Sequence, residues 1–212
     1  MKLKTILALA LALPMMALAT AKPELAKTIK FDAPPKALKA DVMDALQNRK
    51  SAKGFTEKVV TYKEIGNILW AANGINRPES GDRTAPSALN QQDVSLYVFT
   101  TQAAYLYDAK AHAMNLVVEG DHRALFTERM KTPVIILLVS DVSKFTHGDA
   151  ESQKMTGAMD AGIVSENISI YCAGAKIDTR VRASMDKAGL QKLLGLGEKQ
   201  IPMLNHAVGY EK

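Results

Sequence analysis

Cysteine is almost absent. Of 212 residues only Cys172 is one, so no disulfide can close within the chain, and stability must come from the core or from a second copy. Cys172 lies in an apolar helical run at 168–175 and reads as a small buried hydrophobe, not a nucleophile. The four histidines (His112, His122, His147 and His206) have no ligand spacing to one another or to Cys172, so no structural metal is expected. A net charge of +5 is spread along the chain, with no basic block interleaved with aromatics, which argues against a nucleic-acid partner. There is no internal repeat, no G-x-G-x-x-G or P-loop, and no persuasive Ser/His/Asp set or carboxylate pair.

What remains is an ordinary composition, 47% hydrophobic and 23% charged, enough for one domain with a sizeable core. Residues 1–21 read as an export signal. Lys2 and Lys4 precede an apolar run at 5–18, and Ala19-Thr20-Ala21 supplies small residues for cleavage. The run is short and broken by Pro14, so stable membrane insertion after cleavage is not expected. Without a twin arginine, the general secretory route to the periplasm or medium is the expected one. Residues 22–36, with Pro23, Pro34 and Pro35, read as an extended arm, and 37–212 as a single domain.

Helical spacing of Leu38, Val42, Ala45 and Leu46 predicts a helix over 37–48. Thr61 and Glu64 form a capping box before Ile65, Ile68, Leu69 and Ala72, and Asn73-Gly74 ends that helix. Residues 76–90 read as a polar loop. Strands are expected at 94–99, at 104–107 and 114–118 as a hairpin, at 133–140 near the sheet centre, and at 201–210. A short helix is expected at 120–129, a helical region broken near Gly162 over 149–175, and another helix at 187–194. Strands and helices mix without strict alternation, which predicts an α+β fold with a mixed or largely antiparallel sheet.

One stretch invites an anion. Arg49, Lys50, Ser51 and Lys53 gather cations around a hydroxyl, and Gly54 lets the chain turn away before Phe55. By itself such a cluster is usually a solvated helix end. It is followed, in order, by 69–74 (Leu-Trp-Ala-Ala-Asn-Gly), 83–92 with Pro86, Ser87, Ala88, Asn90 and Gln92, Tyr105-x-Tyr107-Asp108, His112, Asp160-Ala161-Gly162, Asn167 and Val208-Gly209-Tyr210. This order resembles the nitroreductase family of FMN-dependent oxidoreductases, and within it the SagB-type dehydrogenases, from about residue 41 to the end.

The resemblance implies an intertwined homodimer with FMN at the interface. Arg49, Lys50, Ser51 and Lys53 would meet the phosphate and ribityl chain. Pro86, Ser87, Ala88 and Asn90 would reach the ring from the other subunit, with Gln92 suited to its imide edge. Ala183 and Ser184 would pass the reactive N5 edge. Glycines are frequent in the family where Lys176 and Ser184 stand, and a basic pair beyond the last strand is replaced here by Glu211-Lys212. Arg180 and Arg182 are additions near the expected ring edge. Tyr105, Tyr107 and His112 read as packing. The implied activity is ping-pong transfer between a small organic substrate, such as a nitroaromatic or quinone, and a donor that outside the cytoplasm would be a periplasmic carrier. Two other readings stand beside it: a non-catalytic module that binds flavin or another phosphorylated ligand, and a structural dimer with an empty pocket.

Overall fold

The computed structural model describes residues 24–126 and 131–212; the expected export signal and the first residues of the expected arm lie outside the described residues. In chain order the elements are β1 (Thr28–Lys30), α1 (Val42–Asn48), α2 (Tyr62–Asn73), β2 (Ile75–Arg77), β3 (Asp82–Arg83), β4 (Val94–Phe99), β5 (Ala103–Asp108), β6 (Ala113–Glu119), β7 (Val134–Asp141), α3 (Ala150–Ala175), β8 (Asp178–Arg182), α4 (Lys187–Leu194) and β9 (Gln200–Gly209). Seven strands form one sheet in the order β1-β6-β5-β4-β7-β9-β8. Every neighbouring pair in it is antiparallel. The α+β expectation holds.

β7 explains its own lack of alternation. Val134, Ile136 and Leu138 face one core, shared with Ile65, Ile68 and Leu69 of α2 and Val164 and Ile168 of α3. Ile135, Leu137 and Val139 face a second core, with Tyr97, Phe99, Phe126 and Leu190 of α4. A strand covered on both sides needs apolar residues at every position, each worth about 1.5–3 kcal/mol when a large aliphatic side chain leaves water.

Four local expectations are corrected. The first helix starts at Val42, not residue 37, because the Asp41 carboxylate accepts from the Asp44 N–H (2.8 Å) and the Asp44 carboxylate accepts from the Asp41 N–H (3.3 Å). That reciprocal cap defines the first turn. Residues 76–90 are not plain loop: β2 and β3 pair as a small hairpin, and 88–90 form one 3₁₀ turn. The helix expected at 120–129 is a 3₁₀ turn at Arg123–Leu125, and 127–130 lie outside the described residues. α3 runs unbroken for 26 residues. Gly162 faces open space, and the cost of about 1 kcal/mol for a mid-helix glycine is outweighed by packing on α2 and the sheet. Within the expected arm, Thr28–Lys30 form β1 and join the sheet beside β6.

α3 ends at Lys176, which adopts the left-handed region (φ 57, ψ 39), the conformation that favours glycine. Lys176→Gly is therefore expected to raise unfolding free energy by about 1 kcal/mol in urea melts; an unchanged or lower midpoint would contradict that account.

Candidate active site

The basic stretch follows directly from α1. Ala45 of α1 packs against the end of α3 beside Gly174, so Arg49, the C-cap, leaves the helix next to the start of β8. Ser51 then bridges Thr179, and the Ala52 N–H donates to the Thr179 carbonyl (3.0 Å). Ala52 and Phe55 bury against Ala207 of β9. The side chains of Arg49 and Ser51 stay exposed.

A buried network holds β8 in place. The His206 ring of β9 is fully buried, with Nε2 2.7 Å from the Ser165 hydroxyl of α3 and Nδ1 3.0 Å from the Thr179 hydroxyl of β8. Thr179 also donates to the Ala207 carbonyl (3.0 Å). Using each hydrogen once assigns the Nδ1–H tautomer, with Thr179 accepting from the ring and Ser165 donating to it. Burial pulls the imidazole down to about 3, so it is neutral at physiological pH.

Past β8, the exposed Ala183 and Ser184 are steered by Asn205, whose Nδ2 donates to the carbonyls of Arg182 (3.2 Å) and Ser184 (3.1 Å). Ser184 does not have a positive φ, so its backbone has no need of the glycine frequent in relatives, unlike Lys176. The Arg182 guanidinium is partly buried, its Nε and Nη2 shielded from water.

The chain end supplies a group that no sequence pattern announces. Glu211 accepts from Lys50 Nζ and from the Lys53 N–H (2.8 Å), and its own N–H donates to Asp178 (2.8 Å). Lys50, and then the Lys53 N–H, hold the Glu211 carboxyl below the ordinary range. A carboxylate of the chain itself thus occupies two donors of the basic stretch. A groove of about 570 Å³ beside it is lined by Asp44, Asn48, Lys50, Lys176 and Thr179.

The segment 86–92 lies elsewhere. Asp160 of α3 accepts from the Ala88 N–H (2.9 Å), and the Ser87 hydroxyl accepts from the Gln92 N–H (2.8 Å). Asn90 donates to Asp82 (3.0 Å), and Gln92 accepts from Arg83 (2.9 Å). Leu89, Asn90 and Gln92 all have positive φ, a strain met at clamps and binding loops. Pro86 and Leu89 project, Leu89 at 72% exposure. Asp160 precedes the end of α3 by fifteen residues, about 22 Å of helix at 1.5 Å per residue. One chain therefore does not bring 49–53 and 86–92 together. Tyr105, Tyr107 and His112 are packing groups, as expected: Tyr105 is buried, and the Tyr107 hydroxyl meets His112 Nδ1 at 3.0 Å.

Beneath the strained segment Asp93 is wholly buried, hydrogen-bonded by Ser140 (2.5 Å), with Asp160 beside it. Burial first, and then the like charge of Asp160, push its carboxyl up to about 6. In the unfolded chain it titrates near 3.8, so the folded state holds this proton more tightly. Stability from this group is full below pH 3.8 and is lost as pH rises toward 6. Asp93→Asn should therefore gain stability relative to the parent across that interval and level off above it. Denaturant melts of both proteins at a series of pH values check this, and the comparison cancels the opposite trend from His206; a flat difference would contradict it.

The seven-stranded antiparallel sheet with helices on both faces is a fold shared with solved oxidoreductases. The profile of the nitroreductase family matches residues 46–210, and the chain belongs to that family. It is 21% identical over 179 residues to the nitroreductase-named protein MJ1384 of Methanocaldococcus jannaschii, covering 78% of this chain and 89% of that one. A crystal structure from Ralstonia eutropha JMP134, described as that of a nitroreductase, superposes with a TM-score of 0.83 at 26% identity over 88% of this chain and 90% of the other. A Staphylococcus epidermidis structure described as an NAD(P)H:FMN oxidoreductase shares the fold, with a TM-score of 0.61 at 15% identity over 84% of this chain and 91% of that one. Members of the nitroreductase family are oxidoreductases, and the chain is one by membership.

Proposed function

We propose that the protein is an exported, homodimeric, FMN-dependent oxidoreductase acting on a small organic substrate such as a nitroaromatic or quinone. The observation that carries this reading is the anion cradle at the edge of β8, held by Lys50 Nζ and the Lys53 N–H, with Arg49 and Ser51 exposed next to it. A flavin phosphate suits those donors, and Ser51, bridged to Thr179, would orient the chain behind it. Bound FMN would supply hydride and electron transfer. The protein's part is to bind, aim and keep water out. The Ala183–Ser184 segment, steered by Asn205, would line the reactive edge. We read the finer placement with SagB-type dehydrogenases from the order of the motifs along the chain.

The dimer is supported by the separation of the two motifs and by unpartnered apolar surface. Met155, Met159 and Ile163 recur every four residues on α3, and the two methionines are 57% and 58% exposed. A second copy docked on this stripe would bury it and could carry Pro86–Asn90 to the first copy's cradle. Ile163→Asp is expected to shift sedimentation from dimer to monomer and to weaken FMN binding with it; a monomeric parent protein would refute the dimer. Export is read from Lys2, Lys4 and the apolar run that follows, and among the described residues no helix is long and apolar enough to cross a membrane.

The test of the cofactor reading is a fluorescence titration with FMN. Arg49→Ala with Ser51→Ala should weaken binding by about a hundredfold, two charge-assisted contacts being lost. Glu211→Gln should tighten it by about threefold, because a surface ion pair no longer competes. Unchanged affinity in the double variant would sink the assignment. A flavin that binds but never cycles with any donor and acceptor would favour the non-catalytic module, and a protein that takes up no FMN would favour the structural dimer.

A further inference from the structure

Arg180 and Arg182 stand two residues apart on β8, so both side chains leave the same face of the strand. That face also carries Ala207 and Asn205, in register with them, and is the one opposite His206 and α3. Among the described residues neither arginine enters an ion pair. The nearby carboxylates are already committed: Asp178 accepts from the Glu211 N–H, and Glu211 from Lys50 and Lys53.

The Nε and Nη2 atoms of Arg182 are nevertheless shielded from water and have no hydrogen-bond partner. Burial, and then the charge of Arg180, push this guanidinium's pKa down. Such a group is costly to hold empty. The two unpartnered atoms are informative as a pair. Nε–H and Nη2–H point in parallel and form the two-donor fork that the two oxygens of a planar carboxylate meet. Beside the fork, the Asn205 Oδ1 atom is buried and equally without a partner. It could accept from a hydroxyl or N–H elsewhere on the same ligand.

Resting on the flavin-site reading above, we propose that Arg182, seconded by Arg180, binds the carboxylate of the substrate, so that the enzyme acts on small organic acids in preference to neutral compounds. The fork lies at the Ser184 end of β8, away from the Ser51 end where a phosphate would sit. An oxidised flavin ring is neutral and does not call for two adjacent cations. An anionic substrate does, and a carboxylate gripped by Arg182 would place the rest of the molecule toward Ala183 and Ser184.

The experiment is calorimetric titration with 4-nitrobenzoate and its neutral analogue 4-nitrobenzamide, on the FMN-loaded and flavin-free protein. The parent should bind the acid about tenfold more tightly than the amide, the scale of one charge-assisted contact. Arg182→Gln should abolish that preference, Arg182→Lys should restore part of it without the fork, and Arg180→Gln should weaken it. FMN affinity and sedimentation of Arg182→Gln should match the parent. Equal affinity for acid and amide in the parent overturns the proposal, as does a preference that survives in Arg182→Gln. Loss of FMN binding or of the dimer in Arg182→Gln also overturns it, reassigning the fork to the cofactor or to the second copy. If the parent takes up no FMN, the flavin reading fails by itself, and the acid preference of the flavin-free chain still decides the role of Arg182.

Discussion

β8 closes the sheet, and its outer edge meets nothing longer than a single bridge to Ser51. That half-paired strand is the constraint from which the site follows. An edge strand left open is a liability unless something covers it, and here the cover is short: the turn after α1, then the chain end. The remaining backbone edge stays uncovered, and its two arginines stand on the face opposite His206. The strand keeps its position because its inner side is tied by a neutral imidazole to two hydroxyls, one on α3 and one on β8 itself. A charged residue in that place would need water that the core does not admit.

The two binding segments are anchored by different means. The basic stretch is held by backbone pairing and by two small apolar contacts, Ala52 and Phe55 on Ala207, leaving the side chains of Arg49 and Ser51 exposed. The 86–92 segment uses most of its polar groups on itself and on the β2–β3 hairpin. Its projecting Pro86 and Leu89 are exposed. A loop that satisfies itself keeps its shape without a partner, which suits a part that must arrive already formed.

Much of this was legible from residues alone. The apolar run of β7, the Thr61–Glu64 capping box and the hairpin of β5 and β6 report local patterns with one physical solution each. Gly162 misled because helix propensity is a local quantity and α3 is held by tertiary contacts. The start of α1 was missed because Asp41 and Asp44 lie too close together for apolar spacing to reveal the cap they form. In the site, the cations at 49–53 announce themselves by type. The fork of Arg182, the clamp of Asn205 and the docking of Glu211 depend on register and on contacts between distant residues, which no short motif encodes. The left-handed conformation of Lys176 was hinted at only by the glycine that relatives favour there.

Glu211 belongs to the same polypeptide as the donors it occupies, so its carboxylate is a tethered ligand. A tethered ligand competes at an effective concentration on the order of millimolar. A free anion offering nothing but charge must exceed that level to displace it. A molecule that also engages the strand edge further along can do so when dilute. Glu211 would thereby act as a filter, screening the cradle against simple salts while admitting ligands long enough to span β8.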